Sequence, residues 1–147
     1  MTQQNLIANL DRMLLSHDIS KDELRRGDHI YVWRSVYRHH GIWDGRKVIH
    51  FSGAKSGDKS NATIGRDTLD VFLDGGNLKI YRYGMSTWNT KSWYEFAGAS
   101  TTAESDPPDT VMNRTESRIG DADYNQLYTN CLHFALWCKL GGRGGNY

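Results

Sequence analysis

Tyr37-Arg-His-His-Gly-Ile-Trp-Asp-Gly-Arg-Lys-Val-Ile-His-Phe51 is the stretch whose reading decides the fold. Residues 37–43 and 46–51 are both strand-like, and Asp44-Gly45 lies between them. Asp-Gly is a strong signal for a two-residue hairpin turn, because both central positions of a type I′ turn need positive φ. A two-residue turn pairs Trp43 with Arg46. Counting back, it sets His39 directly opposite His50 on one face and His40 opposite Ile49 on the other. Two facing imidazoles can share one site, one as base and the other holding it in the right tautomer. A one-residue slip of register would reverse the faces, so the pairing is testable.

Upstream, His29–Arg34 alternates and is rich in β-formers, with His29, Tyr31 and Trp33 on one side and Ile30 and Val32 on the other. Ser20–Asp28 is a polar connector. Residues 4–16 place Leu6, Ile7, Leu10, Met13 and Leu14 at helical spacing, which predicts an amphipathic helix packed on the domain. Downstream, residues 52–65 read as a loop. Thr68–Leu73 reads as a short helix stopped by Gly75-Gly76, and Leu78–Tyr83 as a strand. Residues 84–106 form an irregular segment around Trp88, Trp93, Tyr94 and Phe96. Asp106-Pro107-Pro108-Asp109 resembles a helix start with Asp106 as cap, and Val111, Thr115, Arg118 and Ile119 follow on one face.

Asn130–Leu140 is apolar nearly all round, as buried helices are, and Gly141-Gly142 ends it. Asn130 is a good N-cap residue. A thiol at Cys131, in the first turn, would feel the positive end of the helix dipole, which favours thiolate. The competing reading of Cys131 is a small buried hydrophobe. Cys138 lies two turns deeper in apolar surroundings and is expected to be inert. His133 points to another side of the helix and reads as a packing or surface residue.

The chain has 147 residues, enough for one domain with a core of its own. Hydrophobic residues at 38% and charged residues at 24% exclude a disordered composition. A net charge of +1 without a basic run argues against nucleic-acid binding. Two cysteines seven residues apart on a helix stand ~10 Å apart along its axis and cannot pair, which suits a reducing, cytoplasmic compartment. No signal peptide is visible, and no stretch approaches the ~20 apolar residues of a membrane span. The expected organisation is an N-terminal helix over 1–19, a domain over 20–141 and a flexible Gly-rich tail over 142–147. Cys131, His39, His50 and His133 could in principle hold zinc, but no ligand-pair spacing supports it, so neither a metal nor a cofactor is expected.

The blocks Gly27-Asp-His-Ile-Tyr-Val-Trp-Arg34, Tyr37-Arg-His-His-Gly-Ile-Trp43, Val48-Ile-His-Phe51 and Asn130-Cys-Leu-His-Phe-Ala135 resemble the lecithin:retinol acyltransferase-like family. The resemblance spans about residues 20–140 and is closest to the plant branch, through Gly-Asp-His-Ile-Tyr, His-His-Gly-Ile and Ser105-Asp-Pro-Pro108. It implies an α+β, circularly permuted papain-like fold, with an antiparallel sheet packed against a Cys-bearing helix. Carried over by position, it implies Cys131 as nucleophile, His39 as base and His50 as the second histidine. Such proteins move an acyl chain from a glycerophospholipid onto the cysteine and on to water, an amine or an alcohol. The implied partners are a phospholipid donor, an unidentified acceptor and peripheral contact with a membrane. Leu132 departs from the acidic residue usual after the cysteine. The hairpin is a residue shorter than the common animal form, and a Gly-rich tail replaces the apolar anchor of many animal members.

The expected mechanism is acyl transfer through a Cys131 thioester, with the Cys131 N–H helping to hold the oxyanion. Trp33, Tyr37 and Trp43 are candidates for the acyl-chain wall, although core packing suits each of them too. Two rival readings are a cysteine amidase or peptidase on the same scaffold and a non-catalytic signalling or interaction module.

Overall fold

A computed structural model describes residues 17–53, 62–85, 99–122 and 127–144. The predicted helix over 4–16, the aromatic segment from Trp88 to Phe96 and residues 145–147 lie outside them. The fold is α+β. Five strands, β1 (His29–Arg34), β2 (Tyr37–Trp43), β3 (Val48–Ser52), β4 (Thr63–Asp67) and β5 (Lys79–Ile80), form one sheet in the order β4-β3-β2-β1-β5. Every pairing is antiparallel. Among the described residues three α-helices accompany it: α1 (Leu69–Leu73), α2 (Pro108–Ser117) and α3 (Leu127–Leu140).

The sheet is covered on both faces, and strand alternation divides the core accordingly. On one face Ile30, Val32, Trp43 and Val48 pack with Leu69 and Phe72 of α1. On the other, Ile42, Ile49, Phe51 and Ile64 pack with Val111 and Met112 of α2 and with Cys131, Phe134, Ala135 and Cys138 of α3. His29, His39, His40 and His50 are each at most 3% exposed, so they do not belong to a half-exposed sheet.

The Asp44-Gly45 hairpin forms, but its register differs from the sequence count. Trp43 pairs with Val48 and His50 faces Gly41, not His39. The physical reason is the Asp44 carboxylate. It accepts the backbone N–H groups of Arg46 (2.8 Å) and Lys47 (2.6 Å), while the Asp44 N–H bonds to the Lys47 carbonyl (2.9 Å). Both residues are thereby drawn into a four-residue loop in which Gly45 takes the positive φ of 103°. The slip is two residues, so every side chain keeps its expected face.

Other boundaries also moved. Thr63–Asp67 forms β4 where the sequence reads as a loop up to residue 65, because Gly65 and two charged residues weaken its β signal. Pro107, not Asp106, caps α2, and the Asp106 carboxylate instead bonds Arg114 and Arg143, each at 2.7 Å. That second contact ties down Gly141–Gly144, which forms a 3-10 turn after α3. The short helix expected over Thr68–Leu73 forms as α1, with Thr68 as its cap: the Thr68 hydroxyl accepts the Val71 N–H at 3.3 Å.

Candidate functional site

His39 and His50 meet despite the register. His39 Nε2 lies 2.8 Å from His50 Nδ1, and His50 Nε2 lies 2.8 Å from Asp67 Oδ2. The strand positions directly across from His50 are Gly41 on β2 and Gly65 on β4. With no side chain in either, the imidazole bonds along both diagonals. A Cβ at Gly41 would stand 2.6 Å from Val48 Cγ1 and 3.2 Å from His50 Cβ, so this space is already filled by the histidine and its neighbours. Ser52 Oγ donates to the same Asp67 oxygen at 2.6 Å.

The chain of bonds has one direction. A carboxylate only accepts, so His50 Nε2 must donate to Asp67. In a neutral ring His50 Nδ1 is then an acceptor, and His39 Nε2 must donate to it. That leaves His39 Nδ1 as a bare lone pair. This nitrogen is buried and has no hydrogen-bond partner. Burial, together with the neighbouring His50, Arg34 and His40, holds the His39 ring well below the ordinary imidazole range. At neutral pH the ring is therefore an uncharged acceptor.

The pairing of β2 with β3 runs only from Trp43↔Val48 to Gly41↔His50. Beyond Gly41 the two strands are not paired with each other, and His39 stands on the lip of this split. A cavity of about 680 Å³ opens here, lined among others by Trp33, Arg34, Tyr37, His39, His50 and Asp67. Trp43 does not line it. It is 4% exposed and belongs to the core beneath α1, the packing role weighed for it above.

Cys131 reaches the same split from the opposite face. Its thiol contacts the Arg38 carbonyl at 3.7 Å, and the His40 backbone N–H also faces the sulfur. The Arg38 carbonyl and the His40 N–H point to the same edge of β2 and belong to the two peptides that flank His39. The sulfur thus sits against the backbone on either side of His39, where β2 has no β3 partner.

Cys131 differs from expectation in its place on the helix and in its protonation. Helix α3 already runs at Leu127, so Asn130 lies within the helix and Cys131 lies past its first turn. Burial pushes the thiol up to about 11, and the N–H groups of His40, Leu132 and Cys131 offset only part of that. The thiol therefore rests protonated and wholly buried, outside the cavity wall. Burial pushes Cys138 up to about 12, in keeping with an inert core thiol, and His133 is exposed.

Sequence reasoning missed Asp67, because β4 itself was missed, and Ser52, because β3 was ended one residue early at Phe51. It also missed a second histidine pair on the α3 face, where His29 Nε2 lies 2.7 Å from His40 Nδ1 and His29 Nδ1 lies 2.9 Å from the Tyr83 hydroxyl. The glycines flanking His50 are the signal that could have found the diagonal partners. Among the described residues no cluster of three His, Cys, Asp or Glu side chains could hold a metal ion.

The family model described as lecithin retinol acyltransferase matches residues 22–144. The chain belongs to the lecithin retinol acyltransferase family. It is also 31% identical to Protein LEAD-SENSITIVE 1 of Arabidopsis thaliana over 161 aligned positions, which cover 86% of this chain and 61% of that protein. The chain thus spans about three-fifths of the length of that relative. Membership of this family points to acyltransferase or phospholipase chemistry. Among the described residues no helix is long and apolar enough to cross a membrane.

Proposed function

We propose that this protein is a thiol acyltransferase or phospholipase that takes an acyl group from a glycerophospholipid onto Cys131. The observation that carries the reading is His39 Nδ1, a buried lone pair without a partner, at the head of a directed His39–His50–Asp67 chain and on the wall of a cavity. The two-sided sheet with a later Cys-bearing helix is in keeping with a circularly permuted papain-like fold.

In this mechanism the Cys131 thiol gives its proton to His39 Nδ1, and the thiolate attacks the ester carbonyl carbon. His50 and Asp67 stabilise the imidazolium that forms. The His40, Leu132 and Cys131 N–H groups are the donors nearest the negative sulfur. The His39 proton passes to the leaving alkoxide as the carbon–oxygen bond breaks, which leaves an acyl-Cys131 thioester. Water, an alcohol or an amine then loses a proton to His39, attacks the thioester and releases Cys131. Both the thiol and the imidazole rest uncharged, so no thiolate–imidazolium pair stands at rest.

A second reading, a non-catalytic binding module, draws on one observation: Cys131 is fully buried and does not line the cavity. Intact-mass measurement after incubation with phosphatidylcholine vesicles separates the two. The wild-type chain should gain one fatty-acyl mass, and Cys131→Ala should lower the adduct at least about a thousandfold while retaining the fold. An adduct that persists in Cys131→Ala would refute the nucleophile. No adduct on the wild type with any ester donor would favour the binding module.

A further inference from the structure

The turn joining β1 to β2 carries an unusual surface. Among the described residues three large apolar side chains stand exposed, and two of them, Trp33 at 50% and Val36 at 91%, lie at this one tip. Arg34 pairs with Tyr37, so the turn between them has two residues, Ser35 and Val36. Ser35 holds a φ of 49°, the positive value that a II′-type hairpin turn needs at its first position. A serine there is less favourable than a glycine, but the tight turn drives Val36 outward at the apex.

Two cations flank the apolar tip. The Arg38 guanidinium lies 4.8 Å from the centre of the Trp33 ring and 5.6 Å from that of Tyr31. This stacking holds the Trp33 ring beside a positive charge while the residue stays half-exposed. Arg34 bonds the Phe72 carbonyl at 2.7 Å and Asp74 at 3.3 Å. Trp33, Arg34, Ser35 and Tyr37 also form one wall of the cavity that His39 lines. A tip with an exposed Val, a half-exposed Trp and adjacent arginines has the chemistry of a membrane–water interface. Tryptophan favours the headgroup level, an apex aliphatic residue enters the acyl boundary and arginine meets lipid phosphate.

We propose that the β1–β2 tip is a membrane-docking element that seats Trp33 and Val36 in an anionic bilayer and turns the mouth of the His39 cavity toward the lipid. The proposal deepens the phospholipid reading of that cavity and rests on it only for the purpose of the docking. The docking itself is a binding event and is measured without turnover. Orientation follows from continuity: the residues at the bilayer are sequence neighbours of those lining the cavity, so a docked tip leaves a short path from lipid to site.

The test is co-sedimentation of the full chain with phosphatidylcholine vesicles, with and without phosphatidylserine. Val36 packs on nothing in the core, so Val36→Asp should fold as the wild type does. It should lower partition onto the anionic vesicles by about tenfold or more, because a charge replaces a buried aliphatic side chain. Arg38→Gln should weaken binding to anionic vesicles by about fivefold and leave neutral vesicles unaffected. Turnover of a monomeric short-chain ester in solution should be unchanged in Val36→Asp.

Wild-type chain that fails to sediment with anionic vesicles would overturn the docking. So would Val36→Asp that sediments as the wild type does, since residues elsewhere would then make the contact. Equal losses on neutral and anionic vesicles in Arg38→Gln would remove the electrostatic part. Binding lost in Val36→Asp, with no acyl adduct on any chain, would sink the acyltransferase reading while leaving the docking intact.

Discussion

The two histidine pairs lie on opposite faces of the same sheet and are built from the same parts. Each joins residues eleven apart, each has a ring nitrogen contact of 2.7–2.8 Å and each is buried. They differ in what ends the chain. His39–His50 ends on the Asp67 carboxylate at one side and on a cavity at the other. His29–His40 ends on the Tyr83 phenol, with Tyr81 stacked on His29 at 4.4 Å. A carboxylate can only accept, so it sets the proton order of every ring behind it. A phenol both donates and accepts, so it sets none. Burial holds the Tyr83 hydroxyl far above its ordinary range, and it stays a neutral group. The difference between the proposed base and a core hydrogen bond therefore lies in the terminal partners, not in the histidines.

The comparison is broken most directly by exchanging one histidine of each pair. His39→Gln should lower the rate of acyl-adduct formation by about a hundredfold to ten-thousandfold, as loss of a general base does, with little change in unfolding midpoint. His40→Gln should leave the rate within about tenfold and cost about 1–3 kcal/mol of stability by unsettling the His29–Tyr83 network. Acylation kinetics and urea unfolding of both variants decide the matter. Equal kinetic losses would mean that the two pairs act as one system. A shared backbone offers a route for that, because the His40 N–H faces the Cys131 sulfur.

Acid provides a second test. Burial lowers His29 and His39 well below 6.5 and His40 to about 3 in the folded protein. In the unfolded chain these rings titrate near 6.5. Below that pH the unfolded chain binds protons that the folded one refuses, so stability is intact above about pH 6.5 and falls as the pH drops. The loss is about 1.4 kcal/mol per pH unit for each histidine. Chemical unfolding at pH 8 and at pH 5.5 should therefore differ by several kcal/mol, and the slope should be shallower in His40→Gln. A stability independent of pH between 8 and 5.5 would contradict the burial argument for both faces.

The sequence reveals these pairs unevenly. Alternation in β1 and β2 placed His29, His39 and His40 on their correct faces, since a face survives a two-residue slip. Opposition did not survive, because the turn signal of Asp44-Gly45 says nothing of the two further N–H groups that the Asp44 carboxylate gathers. The His29–His40 bond needs the β1–β2 register, which no short-range signal prints. Asp67 was invisible because Thr63–Asp67 reads as a loop until Gly65 is seen as the empty space beside His50. Cys131 was placed on the right helix but too near its start, since Asn130 has the chemistry of a cap while the helix already runs from Leu127. The resemblance to the family marked His39, His50 and Cys131; the carboxylate that gives their chain a direction came only from the fold.

The smallest expected effect tests that direction itself. Asp67→Asn keeps the size of the side chain but adds an N–H₂ donor. An amide that donates to His50 Nε2 reverses both rings and places the proton on His39 Nδ1, where the proposed thiol proton must go. Acyl-adduct formation should then fall by roughly tenfold to a hundredfold, with binding to phospholipid vesicles unchanged. Tyr83→Phe removes the terminal group of the other pair. His29 can respond by changing tautomer, so the expected result is a loss of about 1–2 kcal/mol in unfolding free energy and no change in acylation rate. Asp67→Asn with a wild-type rate would show that Asp67 holds His50 by packing alone, and the two faces would then differ only in the cavity that one of them meets. A Tyr83→Phe variant slowed as much as Asp67→Asn would show that the closed face governs the sulfur through β2, and the contrast between carboxylate and phenol would lose its meaning.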